Sequence, residues 1–133
     1  MNGTVILLNT NNSFEEIGID FEGDFNKAIH ELIGNGCTCY QAIPCTYLNL
    51  AYKTSEIPIK GKIGYVLLCD DDGKFKANAE INQLASTLYA SPYDALVGNV
   101  VLVGISQIQD NDKYDFCGLD DNALEFFRTI MED

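Results

Sequence analysis

Tryptophan is missing from this chain, histidine occurs once, at His30, and eight lysines and arginines face twenty aspartates and glutamates. Each shortage excludes something. A single histidine must serve any base role, so a Ser-His-Asp triad has little to draw on and a multi-histidine metal centre has nothing. A formal net charge of −12 repels nucleic acid, anionic membrane and phosphorylated ligands at long range, and attracts basic surfaces. Apolar runs are short: Val5–Leu8, Tyr65–Leu68 and Val100–Val103 hold four residues each, far below the roughly 18 a membrane helix needs. The opening MNGTVILLNTNNSF has no basic n-region and no small-residue cleavage site, so it does not read as a signal peptide and the chain is expected to be cytoplasmic. Gly-x-Ser-x-Gly and phosphate-binding glycine loops do not occur, and Gly34-Asn35-Gly36 follows a predicted helix where a phosphate loop would precede one. The expectation is a binding protein, not an enzyme, with no cofactor.

What is present is enough for one domain of 133 residues, 47% of them hydrophobic. The two runs Tyr65–Leu68 and Val100–Val103, edged by glycine and aspartate, predict buried strands, and the stretch between them organises the chain. Thr4–Leu8 predicts a first strand and Phe14–Asp20 a partner in a hairpin. Asp24 caps a helix over Phe25–Ile33, where Phe25, Ala28, Ile29 and Leu32 repeat at helical spacing and the Gly34–Gly36 turn stops it. Cys37–Ile43 reads as a strand broken by Pro44. Tyr47, Leu48, Leu50 and Tyr52 form an apolar-aromatic patch ahead of a lysine-bearing loop, Lys53–Lys62. Asp70-Asp71-Asp72-Gly73 ends the strand Gly64–Cys69, Lys74–Lys76 is expected to return as a short strand, and Asn82–Tyr89 predicts a helix with Asn78 or Glu80 near its cap. Gln109–Asp115 reads as exposed and polar. A last helix begins near Asp120, with Leu119 placed for a hydrophobic staple and Arg128 near its C-terminal dipole. The sum is an α+β or α/β single domain, residues 1–133, with a mixed sheet of about five strands packed by two or three helices.

Five cysteines, Cys37, Cys39, Cys45, Cys69 and Cys117, are an odd number with no secretory context, which favours reduced thiols packed as small apolar residues. Zinc knuckles need pairs at other spacings, and no metal is expected. The triple aspartate fails as an EF-hand: with Gly73 at the sixth position, Leu68 occupies the first ligand position. Asp110 and Asp112 fail too, since Tyr114 would be the third ligand.

At Cys69–Gly104 a strand, an acidic turn ending Gly73-Lys74, Asn82 preceding Ala85 in a short helix, Asp94, Val97-Gly98-Asn99 and Val100–Gly104 follow in order. With the upstream Ala28–Ile33 helix and its glycine turn, this resembles a phage and mobile-element family catalogued only as a domain of unknown function, over roughly residues 24–36 and 64–104. Cys45–Lys62 departs from that family's short connection between strands. The resemblance carries no catalytic residues; it implies a bacteriophage, prophage or plasmid protein working inside a bacterial host cell.

Charge and resemblance together lead to three expectations. The first is an inhibitor of host defence, of anti-CRISPR or anti-restriction type, whose acidic face engages a protein partner with a basic, nucleic-acid-handling surface and touches neither nucleic acid nor membrane itself. Its candidate residues are Asp70, Asp71 and Asp72 on one turn, with Asp110, Asp112, Asp115, Asp120 and Asp121 in the C-terminal part. The second is a small-molecule or nucleotide-sequestering protein whose pocket uses Tyr47, Tyr52, Lys53, Lys60 and Lys62. The third is a non-enzymatic structural or regulatory phage protein that forms a homodimer through an exposed strand.

Overall fold

The computed structural model describes residues 2–109 and 113–132. Its elements run β1 (Asn2–Leu8), β2 (Phe14–Asp20), α1 (Phe25–Ile33), β3 (Tyr40–Pro44), α2 (Thr46–Ala51), β4 (Ile63–Asp70), α3 (Gln83–Tyr89), β5 (Val100–Gln109), β6 (Lys113–Cys117) and α4 (Asp121–Glu132). A six-stranded sheet has the order β2-β1-β5-β4-β3, with β6 also paired to β5. Every pairing within it is antiparallel, not mixed. The fold is α+β.

The two apolar runs lie side by side at the centre as β4 and β5, with Val66 opposite Val103 and Leu68 opposite Val101. Uninterrupted hydrophobicity is the habit of parallel strands, because both their faces are covered. Here an antiparallel sheet is covered on both faces instead. One face packs Val5, Leu7, Val66, Leu68, Val101 and Val103 against Ile29 and Ile33 of α1. The other packs Ile6, Leu8, Leu67, Cys69, Val100 and Leu102 against Leu48 of α2, Ala85 and Leu88 of α3, and Ala123 and Phe127 of α4. Each strand therefore sends alternate side chains into two separate cores.

β5 is ten residues long, and two strands share one of its edges. β1 pairs with Val100–Leu102, while β6 takes Gly104–Gln109. Glycines permit that crowding. A Cβ on Gly3 would sit 3.0 Å from the Gly118 Cα, and one on Gly104 would sit 2.8 Å from the Gly118 carbonyl oxygen.

The predicted α1 and its cap stand as read: the Asp24 side chain accepts the Lys27 N–H at 3.1 Å. Several expectations need correction. The strand expected from Cys37 begins only at Tyr40, with one ladder-like bond beyond it, from the Asp71 N–H to the Cys39 carbonyl. Pro44 ends an edge strand, where its missing donor costs nothing. The patch at Tyr47–Tyr52 is the short helix α2. Lys74–Lys76 does not return as a strand; Gly73–Phe75 is one 3-10 turn. The cap of α3 is neither Asn78 nor Glu80 but Asn82, whose side chain accepts the Ala85 N–H. Lys113–Asp115, expected in a polar loop, belongs to β6. Arg128 reaches Glu16 on β2 with two hydrogen bonds, at 3.1 and 2.8 Å.

Candidate functional site

The predicted acidic residues separate into two groups. At one end of β4, Asp70 is buried, not presented: its Oδ2 lies 2.5 Å from the Lys76 ammonium, and its Oδ1 accepts the Asp72 N–H at 3.0 Å. The same Lys76 donates to the Asn35 carbonyl at 2.6 Å. Asp70 thus holds the turn together, a structural duty that removes it from the proposed surface. Asp71 and Asp72 remain exposed.

At the other end, Asp115 is exposed on β6 opposite Ser106, and Ser106 is opposite Ile63, the first residue of β4. Asp121 is exposed in the first turn of α4. Asp120 is half-buried and occupied: it accepts the Ala123 N–H at 3.1 Å as the helix cap and the Tyr65 hydroxyl at 2.7 Å. Asp110 and Asp112 lie outside the described residues. Since Ile63 and Asp70 are the two ends of β4, at about 3.3 Å per residue these groups stand roughly 23 Å apart. The sequence placed them on one acidic face; the sheet puts them at opposite ends.

The lysine-bearing segment is only partly gathered. Tyr52 and Lys62 share a cleft of about 280 Å³ with Thr54, Tyr65, Asp120 and Asn122. Lys53 and Lys62 line a neighbouring one of about 180 Å³ with Ile57, Pro58 and Ile59. Lys60 lines neither, and Tyr47 turns away to Phe126 of α4, with ring centroids 5.6 Å apart. Asn49 positions this region: its side chain accepts the Tyr65 N–H at 2.9 Å and donates to the Tyr65 carbonyl at 3.0 Å. It does for Tyr65 what a neighbouring strand would do, past the point where β3 stops.

A cleft of about 420 Å³ was not foreseen. It opens between the end of α1 and the segments around Ala79 and Gly98, and its wall includes Glu31, Asn35, Asp70, Asn78 and Glu80. Asn35 and Asn78 exchange reciprocal amide hydrogen bonds at 3.2 and 3.1 Å across its rim. The one sequence signal for it was the Gly34-Asn35-Gly36 turn, all three of whose residues have positive φ.

Chemically, the interior is quiet. Burial pushes the Cys45 thiol up to about 12 and Cys69 to about 11, and raises Cys37 and Cys117 as well. These sulfurs are neutral, weakly nucleophilic groups that act as packing. The Tyr65 hydroxyl is held far above its ordinary range, first by burial and then by the carboxylate of Asp120. Among the described residues no group of three or more His, Cys, Asp or Glu could hold a metal ion, and no helix is long and apolar enough to cross a membrane. The surface is less quiet: Phe75 is 88% exposed and Tyr93 96%.

No protein-family model, curated protein or solved structure matches the chain. None of these comparisons supports the resemblance read over residues 24–36 and 64–104.

Proposed function

We propose that the protein acts by binding, as an inhibitor that occupies the basic surface of a nucleic-acid-handling protein. The observation that carries this reading is the twelve-charge excess of acids, set on a fold whose buried carboxylate and thiols are committed to structure. Such a field steers a cationic partner in from a distance and competes for the groove where phosphates would lie. The anti-CRISPR or anti-restriction role in a phage-infected or plasmid-bearing bacterium is the form of this reading that the resemblance favours. Because Asp71 and Asp72 stand apart from Asp115 and Asp121, these acids do not act as one face: the partner is engaged at one end of the sheet or along its whole length.

The test is affinity capture from a bacterial lysate at low and high salt, followed by nucleic-acid binding by the captured protein. The expected result is a basic nucleic-acid-binding protein retained at roughly 50 mM salt, released at several hundred millimolar, and unable to bind its nucleic acid while the complex persists. Capture that is indifferent to salt, or a partner that still binds nucleic acid, contradicts it.

One observation favours a second reading. Tyr52 and Lys62 do share a cleft, bordered by Tyr65 and Asp120, so a small ligand carrying both an anionic and a hydrogen-bonding group has somewhere to sit. A nucleotide thermal-shift screen separates the two readings, because a tight ligand raises the melting temperature by mass action.

A further inference from the structure

Two of the exposed large hydrophobic side chains among the described residues are aromatic, and each is next in the chain to one member of an ion pair. Phe75 and Tyr93 are 88% and 96% exposed, so both rings are open to a partner. They are eighteen positions apart in sequence, but the ion pair between Lys74 and Asp94 ties their immediate neighbours together. Between those neighbours lies a pit of about 60 Å³ walled by Gln41, Asp71, Lys74, Asp94 and Val97. One water needs roughly 10–15 Å³ of such space, so the pit has room for a planar group several times that size. Its walls carry two exposed carboxylates, Asp71 and Asp94, with Asp72 next in the chain. The chain already seats a cation there: the Lys74 ammonium on Asp94, in a pair whose side chains are 50% and 39% exposed and hence easily exchanged.

We propose that this pit reads arginine: a guanidinium from a basic partner displaces Lys74 from Asp94, bridges Asp94 and Asp71, and leaves its own or a neighbouring arginine's plane on the ring of Phe75 or Tyr93. The occupant is an arginine-bearing protein segment, chosen over lysine for three reasons. A planar fork matches paired carboxylates, it is weakly hydrated, and it stacks on aromatic faces where a compact ammonium does so less well. The site rests on the basic-partner reading above and gives it a location at the Asp71–Asp72 end.

The test is an NMR titration of the labelled full chain with an all-arginine and an all-lysine peptide of equal length. The arginine peptide is expected to shift the amides of 71–75 and 93–97 and to bind about fivefold tighter than the lysine peptide. The exposed double variant Phe75→Ala/Tyr93→Ala should keep its fold and lose that preference. Lys74→Met should tighten arginine binding more than Lys27→Met, which removes the same charge from α1. Equal affinity for the two peptides, or equal effects of the two lysine variants, overturns the proposal. Shifts gathered at Asp115–Asp121 overturn this site but leave the basic-partner reading standing; no binding by either peptide removes both.

Discussion

Replacing Asn82 with alanine should cost far more than its polar identity suggests. The residue is fully buried at the head of α3. Its Oδ1 accepts the Ala85 N–H at 2.9 Å, while its Nδ2 donates to the Leu8 carbonyl at 3.0 Å and to the Gly98 carbonyl at 2.9 Å. One side chain thus joins the end of β1, the start of α3 and the lead into β5. Loss of an N-cap costs about 1 kcal/mol, and each carbonyl left without a donor costs about 1 kcal/mol more. The expected total is about 3 kcal/mol, from a stability of roughly 5–15 kcal/mol for a domain. That corresponds to a fall in Tm of roughly 10 °C. Asn82→Asp sharpens the test. It keeps an acceptor for Ala85 but turns a carboxylate oxygen toward two carbonyls, in a fully buried site. Burial and those carbonyls raise the folded-state pKa of the new acid above its unfolded value near 4. The variant should therefore be most stable below about pH 4 and lose stability as pH rises through the folded pKa. Urea denaturation of both variants across that range measures it. An Asn82→Ala variant within about 0.5 kcal/mol of the parent, or an Asn82→Asp variant with no pH dependence beyond the parent's, refutes the idea that this amide knots three segments.

Three further predictions follow from other contacts. A Cβ on Gly64 would lie 1.8 Å from the Ser55 carbonyl oxygen, so Gly64→Ala must displace the 53–62 loop and should cost more than about 2 kcal/mol in a denaturation titration. Glu16 is held below the usual carboxylate range, chiefly by the Arg128 hydrogen bond. Its contribution is present above the unfolded value near pH 4.3 and lost as pH falls through the depressed folded value. The small difference in Tm between the parent and Arg128→Ala should accordingly shrink on acidification. Alkylation followed by mass spectrometry should label the exposed Cys39 first, with the buried Cys45 and Cys69 reacting only at the rate of unfolding; early labelling of Cys45 contradicts the packing described.

Legibility in the sequence divided along physical lines. α1 and the central strands were readable because their signals are local: a capping aspartate, a helical repeat, a glycine stop, two dense apolar runs. β2 was readable as a hairpin partner because it follows β1 directly. β6 escaped because exposed Lys113 and Asp115 mask a short alternation whose partly buried members are Tyr114 and Phe116, before Cys117 breaks it. Phe116 meets Phe25 of α1, ring centroids 5.5 Å apart, a long-range contact with no local trace. α2 escaped because six residues between a proline and a loop give too few turns to show a period. The candidate site suffered most. Burial of Asp70 depends on Lys76 and Asn35, and occupation of Asp120 depends on Tyr65, so composition counted both as surface charge. Nor could spacing along the chain reveal that one group of acids lies at each end of β4.

The most direct measurement is binding of the captured basic partner to two charge-reversal variants, Asp71→Lys/Asp72→Lys and Asp115→Lys/Asp121→Lys, as salt is raised. All four side chains are exposed, so both proteins should fold. A protein that docks through the Phe75–Tyr93 end predicts that the first variant loses affinity by more than tenfold and flattens the salt dependence, while the second changes only the encounter rate. Unaltered affinity in both variants, with a salt response equal to the parent's, would show that negative charge does not carry the interaction.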